Sequence, residues 1–151
     1  MDYRYAECGL DNVIIQGMSV VVDDAGEEVY SIPNVIGLHR TIAACIVKHA
    51  RGISPKELRF LRTEMGMTQA ELAEIVKKDH QTVGRWERGE TVLDQNAETV
   101  IRLLAAERLG MRDGESVADM AKRSVPSAQV QIIFIDGQDP TNYRAVMDEA
   151  A

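Results

Sequence analysis

The stretch that most limits what this chain can fold into is Met67–Gly89, which reads MTQAELAEIVKKDHQTVGRWERG. Thr68 and Glu71 stand in the T-x-x-E arrangement of a capping box. There the hydroxyl accepts from an amide three residues on and the carboxylate reaches back, so a helix starts at that point. Leu72, Ala73 and Val76 come next at helical spacing, and Ala73 is small enough to let a second helix cross closely. Asp79 can cap that second helix, whose buried face is expected to be Val83 and Trp86, three apart. His80, Gln81, Gly84 and Arg85 then project on the outside as one surface. Such a pair of short helices has little freedom in its crossing angle, because the same few apolar side chains hold both.

The segments MTQAELA and QTVGRWERG, with the interval between them, resemble the phage repressor and Cro-type (XRE) helix-turn-helix family. With Ser54–Leu109 supplying the flanking helices, the resemblance covers a third to a half of the chain. It implies that the second helix lies in a DNA major groove, with His80, Gln81 and Arg85 contacting bases, and that Gln69, opening the positioning helix, contacts a phosphate. Arg suits guanine and Gln suits adenine, while His80 is open between a base, a phosphate and a thymine methyl. Thr82 and Arg88 are expected on the DNA backbone, with Lys77 and Lys78 steering the duplex without specifying a base. Trp86 is expected in the core.

Glu87 sets a problem of its own, since a carboxylate late in this helix faces both phosphates and the negative end of the helix dipole. It needs a cation. In the family the equivalent Glu pairs with an Arg of the first helix, and Arg62 occupies that position here; it is expected to touch a phosphate as well. The chain departs from the family at Lys77, where Gly often closes the first helix. A left-handed backbone there would cost about 1 kcal/mol, so the turn is expected to differ slightly.

Net charge −7 and a pI near 5.0 exclude a general polyanion binder, whose affinity comes from cations that displace condensed counterions. The distribution is uneven. Between Lys48 and Arg88 nine cations face six carboxylates, an excess of three, which leaves the remainder of the chain at −10. One locally basic docking face is implied, with modest nonspecific binding and strong salt dependence.

Ahead of this region, NVIIQGMSVVV is β-branched and apolar, and DDAGEE makes a turn before VYSI, so Tyr3–Ile32 predicts strands and a hairpin. Pro33–Ala50 predicts a largely buried helix through Val35, Leu38, Ile42 and Ile46. Ser54 and Glu57 form a second capping box, with Pro55 at the first helical position, opening a helix through Leu58, Leu61 and Met65 that Gly66 ends. Beyond Gly89, Asp94 or Asn96 caps a helix through Val100, Ile101, Leu103, Leu104 and Leu109, stopped by Gly110. A shorter helix over Glu115–Arg123 would group Val117, Met120 and Ala121. Val130–Ile135 reads as a strand that must join the hairpin or a partner subunit, and the tail after Pro140 is expected to be loosely held.

These elements predict a mainly α chain with a small β part (α+β): a repressor-type bundle of five helices over 53–125, a β-hairpin and helix over 1–52, and a C-terminal strand and tail over 126–151. Cys8 and Cys45 lie outside any C-x-x-C pattern and are expected as reduced thiols. The string CGLDNV makes the front of the chain similar to MqsA-type antitoxins, which hold zinc through paired cysteines; the pairs are missing here, so no metal is expected. Cys45 and His49, four apart, share a helix face but offer too few ligands for zinc. No cofactor is implied.

His39, His49 and His80 have no accompanying nucleophile arrangement, and no phosphate loop appears, so an enzyme is not expected. No apolar run approaches the roughly 20 residues that span a bilayer, and the start lacks a signal-peptide layout, so a cytoplasmic protein is expected. Two functions fit. The first is a sequence-specific DNA-binding regulator, a repressor acting as a homodimer on double-stranded DNA. The second is an antitoxin that neutralises a partner protein and represses their shared operon.

Overall fold

The structure, a computed structural model, describes residues 2–49, 51–111, 117–123 and 131–146. Its elements are mainly helical with a small β part, as the residue patterns predict. The chain divides into two compact units, Met1–Ile42 with Ile132–Ala151, and Ala43–Gln131. The division falls within helix α1 (Val35–Lys48).

The first unit contains β1 (Asp2–Arg4), β2 (Val13–Gln16), β3 (Val20–Val22) and β4 (Glu28–Tyr30), then β5 (Ile133–Asp136) and β6 (Arg144–Ala145) from the far end of the chain. One sheet has the order β1-β2-β5-β6, with β2 and β5 parallel and the outer pairs antiparallel; β3 and β4 form a separate two-stranded hairpin. Val13 faces Ile133 and Ile15 faces Ile135, and these four are the buried positions of alternating strands. Parallel strands need a crossover. Here the crossover contains the hairpin, α1 and the entire second unit.

Three expectations change. NVIIQGMSVVV is two strands in different sheets, broken at Gly17–Ser19, so the segment makes two hairpins where one was expected. Gly17 has φ +73, which turns the chain out of its first sheet before β3 begins. The strand expected from Val130 starts at Ile133; Val130 lies outside the described residues. The tail after Pro140 is held as far as Val146, because Tyr143 is buried, its hydroxyl donates to the Pro33 carbonyl at 2.6 Å, and Val146 N–H donates to Phe134 O at 2.8 Å. Residues 147–151 lie outside the described set. In α1, Leu38 and Ile42 are buried as expected, whereas Val35 is exposed, 44%, and Ile36 more so, 74%.

The second unit holds the end of α1 and five helices: α2 (Pro55–Glu64), α3 (Gln69–Val76), α4 (His80–Glu87), α5 (Gln95–Arg108) and α6 (Val117–Arg123). Ser54, Thr68, Asp79 and Asp94 each cap the helix ahead of them by accepting an amide three residues on, and both expected capping boxes are complete. The core contains Ile46, Leu58, Leu61, Leu72, Val83, Trp86, Ile101 and Ala105. Ala121 of α6 is exposed, and the side chains of Val117 and Met120 lie outside the described set.

Among the described residues of this unit, the side chains of His49, Glu57, Glu98 and Arg102 are buried. Arg102 of α5 has no exposed surface, and its Nη1 donates to the carbonyls of Ile46 (3.2 Å), Val47 (2.7 Å) and His49 (3.0 Å). Its Nη2 donates to Arg51 O at 2.5 Å. The Ile46, Val47 and His49 carbonyls lie at the C-terminal end of α1, where a helix has acceptors without intrahelical donors and a cation is welcome. Glu98, one turn earlier on α5, lies 3.6 Å from Arg102 and accepts the Ile53 amide. Burial pushes its carboxyl above the ordinary range, opposed by that amide and by Arg102. His49 Nε2 lies 3.4 Å from Glu57.

Candidate DNA-binding face

The turn between α3 and α4 is made by Lys77, Lys78 and Asp79. Lys77 takes φ 60 and ψ 41, fully left-handed, the backbone that Gly would take there without the cost of a Cβ. The N–H of Lys78 donates to Ala73 O (2.9 Å) and that of Lys77 to Glu74 O (3.4 Å), the paired bonds of a Schellman closure. Those bonds satisfy the last carbonyls of α3 and offset the left-handed lysine. Asp79 then starts α4. Its Oδ1 accepts Thr82 N (2.7 Å) and Thr82 Oγ1 (3.0 Å), and these two bonds hold its carboxyl below the ordinary range.

Along α4, Val83, Gly84 and Trp86 are buried, while His80, Gln81 and Arg85 are exposed. Gly84 is thus moved from the expected outer face to the inner one, and the reason is close approach. A Cβ on Gly84 would stand 3.0 Å from Arg88 Nη1 and 3.4 Å from Gln69 Oε1, so the missing side chain leaves room for Gln69 and Arg88 to approach the helix here.

Glu87 is tied down on three sides. Arg62 Nε donates to its Oε2 at 2.6 Å and Arg62 Nη2 to its Oε1 at 2.9 Å, a bidentate pair between side chains 15% and 4% exposed. Gln69 Nε2 adds a bond to Oε1 at 3.2 Å. Arg62 Nη1 donates to Met67 O at 2.9 Å, next to the start of α3. One guanidinium on α2 therefore fastens the end of α4 and the entry to α3 together. The expected Arg62–Glu87 pair is present, and Gln69 is a third member that sequence reasoning missed.

Lys77, Lys78 and Arg88 are exposed around the two helices. Arg88 meets Glu90 edge to edge, Nε to Oε1 and Nη2 to Oε2, both at 3.1 Å. The Arg88 hydrogen bond and charge hold the Glu90 carboxyl below its ordinary value. Thr82 is half-buried with amide and hydroxyl both donating to Asp79, so a bond from its hydroxyl to a phosphate would need that rotor to turn. The structure thus brings His80, Gln81 and Arg85 onto one face, with Gln69 and Arg88 beside it.

Two features differ in the signal they leave in the sequence. Glu98 and Arg102 stand at i and i+4 on the same face as Ile101 and Ala105, which marks a charged pair inside an apolar stripe. Arg88 and Glu90 flank Gly89, a spacing that carries no helix-face signal and becomes a pair only through the turn. Cys8 and Cys45 are not joined in a disulfide, and burial pushes the Cys45 thiol up to about 11. Among the described residues no group of three or more His, Cys, Asp or Glu side chains is placed to hold a metal ion, and no helix is long and apolar enough to cross a membrane.

Residues 58–106 match the family model described as helix-turn-helix, about a third of the chain, from within α2 to within α5. A search of curated proteins and a search of solved structures each found no match.

Proposed function

From the match of residues 58–106 to the helix-turn-helix family model, we propose that the chain is a sequence-specific transcriptional repressor of the repressor and Cro type (XRE) that places α4 in the major groove of its operator. The observation that carries the reading is the sorting of one two-turn helix. Val83, Gly84 and Trp86 face inward, and His80, Gln81 and Arg85 face solvent together. Arg85 would take guanine by its two-pronged edge and Gln81 adenine, with His80 at the N-terminal end of the helix nearest the duplex.

Phosphate contacts would come from Gln69, Lys77, Lys78 and Arg88, which ring that face. Arg62 has donors beyond the three used on Glu87 and Met67, and one of these would reach a phosphate. Its larger part is to fix the pose of α4, as Glu87 and the buried Trp86 do. Repression comes from occupancy: a protein seated on an operator excludes polymerase. A DNA reader of this kind works where the chromosome is, hence in the cytoplasm.

A single module of this size buries too little surface for tight specific binding, so the working unit is a homodimer on a near-palindromic site. Val92, 79% exposed, and Val100, 38% exposed, are apolar surface on the second unit available to such contacts. Selection of bound sequences from random duplexes tests the proposal. Two-fold symmetric sites with half-sites about 10 base pairs apart are expected. Recovery of no enriched sequence would remove specific recognition from the account.

The antitoxin reading draws on a different observation, the exposed Val21, Val22 and Val29 of the β3–β4 hairpin, an apolar surface suited to a protein partner. Co-purification with the product of a toxic neighbouring reading frame separates the two.

A further inference from the structure

The guanidinium of Arg88 has two edges with different surroundings. Its Nη1 end lies over Gly84 next to the Gln69 amide, on the seam between α3 and α4. Its Nε–Nη2 edge is occupied by the Glu90 carboxylate in a parallel two-bond arrangement, both distances 3.1 Å. That edge is the one a planar donor pair offers equally to a carboxylate and to a phosphate. The two side chains are 58% and 53% exposed, so water screens the pair and it can exchange.

We propose that Glu90 is a resident competitor for DNA phosphate: it occupies the Arg88 edge in the unbound protein, is exchanged for a backbone phosphate on docking, and thereby lowers affinity for duplex DNA of every sequence. The inference rests on the assignment of α4 as the reading helix and adds to it a residue that sets how strongly the face holds DNA irrespective of sequence. The consequence is weaker holding of operator and random DNA alike, with the ratio between them unchanged. A protein that must release an internal anion before gaining a phosphate holds random DNA weakly, while its base contacts through His80, Gln81 and Arg85 are untouched. This accords with a chain of net charge −7 in which cations outnumber carboxylates between Lys48 and Arg88.

The test is a double-mutant cycle on full-length protein, with Glu90→Gln, Arg88→Gln and the double variant titrated against a selected operator and a scrambled duplex over a range of salt. Both side chains are exposed, so unchanged circular dichroism and thermal midpoints are expected throughout. Glu90→Gln should tighten both duplexes by the same factor, about 3- to 10-fold at low salt, with a log–log salt slope steeper by up to about one. Arg88→Gln should weaken both. In the Arg88→Gln background, removal of the Glu90 charge should change affinity less than about twofold, since the competitor then has nothing to compete for.

Equal tightening by Glu90→Gln with and without Arg88 would show general repulsion of DNA and overturn the proposal, as would no tightening at all. Failure of the parent protein to bind any duplex would overturn both this inference and the reading of α4. Binding by the parent with no response to Glu90→Gln would overturn this inference alone.

Discussion

The two units differ in how far along the chain each residue finds its partner. In the second, Ser54 with Glu57, Thr68 with Glu71, Asp79 with Thr82 and Asp94 with Ala97 each close within three residues, and every one of them starts a helix. In the first, Val13 pairs with Ile133 and Ile15 with Ile135, strands separated by about 120 residues and by the whole second unit. The difference is one of loop closure. A helix start is specified by a handful of neighbours and costs little chain entropy, whereas the β2–β5 pair must first bring together segments from opposite ends of the polypeptide. The residues that match the helix-turn-helix family model, 58–106, lie on the part of the chain whose geometry is most locally determined.

The contrast has exceptions, and testing the longest-range of them, Arg102, offers the strongest chance of breaking the comparison. Arg102 reaches back about 55 residues to the carbonyls of Ile46, Val47, His49 and Arg51. Arg102→Met should therefore cost about 4 kcal/mol, because it takes four hydrogen bonds from backbone carbonyls, three of them buried, and the cation from beside Glu98. The urea midpoint, read at an unchanged slope, is the measure. A cost below about 1 kcal/mol would mean that the second unit needs no long-range polar tie and that its local signals suffice.

In the first unit the comparison is sharpened by Ile15→Ala. Ile15 is fully buried and stands opposite Ile135 in the parallel pair. The cavity should cost about 3 kcal/mol, with loss of amide protection on β2 and β5 in hydrogen exchange. A small cost with protection retained would show that the pairing of the two chain ends contributes little, and the contrast between the units would lose its physical basis.

The same distinction explains which features are legible in the sequence. Four helix starts, the inward Val83 and Trp86, and the outward His80, Gln81 and Arg85 are legible because each depends on a period or a cap a few residues long. The pair Arg62–Glu87 is legible only through family resemblance, being 25 residues apart. Gln69 joining that pair, Gly84 turning inward, and Arg102 capping α1 are not, since each depends on how helices cross in space and leaves no trace in the local order of residues. The break of NVIIQGMSVVV into two sheets is hidden for another reason: a continuous apolar run shows that strands are present but not where the chain leaves one sheet for another.

The smallest expected change in stability belongs to the residue on which the functional account depends most. Arg85 is exposed on α4, so Arg85→Ala should leave the urea midpoint within about 0.5 kcal/mol of the parent. Its affinity for a selected operator should fall about 10- to 100-fold, the loss of one bidentate base contact, while affinity for scrambled duplex changes little. Titration of parent and variant against both duplexes at one salt concentration is the direct test. If the variant separates operator from scrambled DNA as well as the parent does, α4 is not the element that reads sequence.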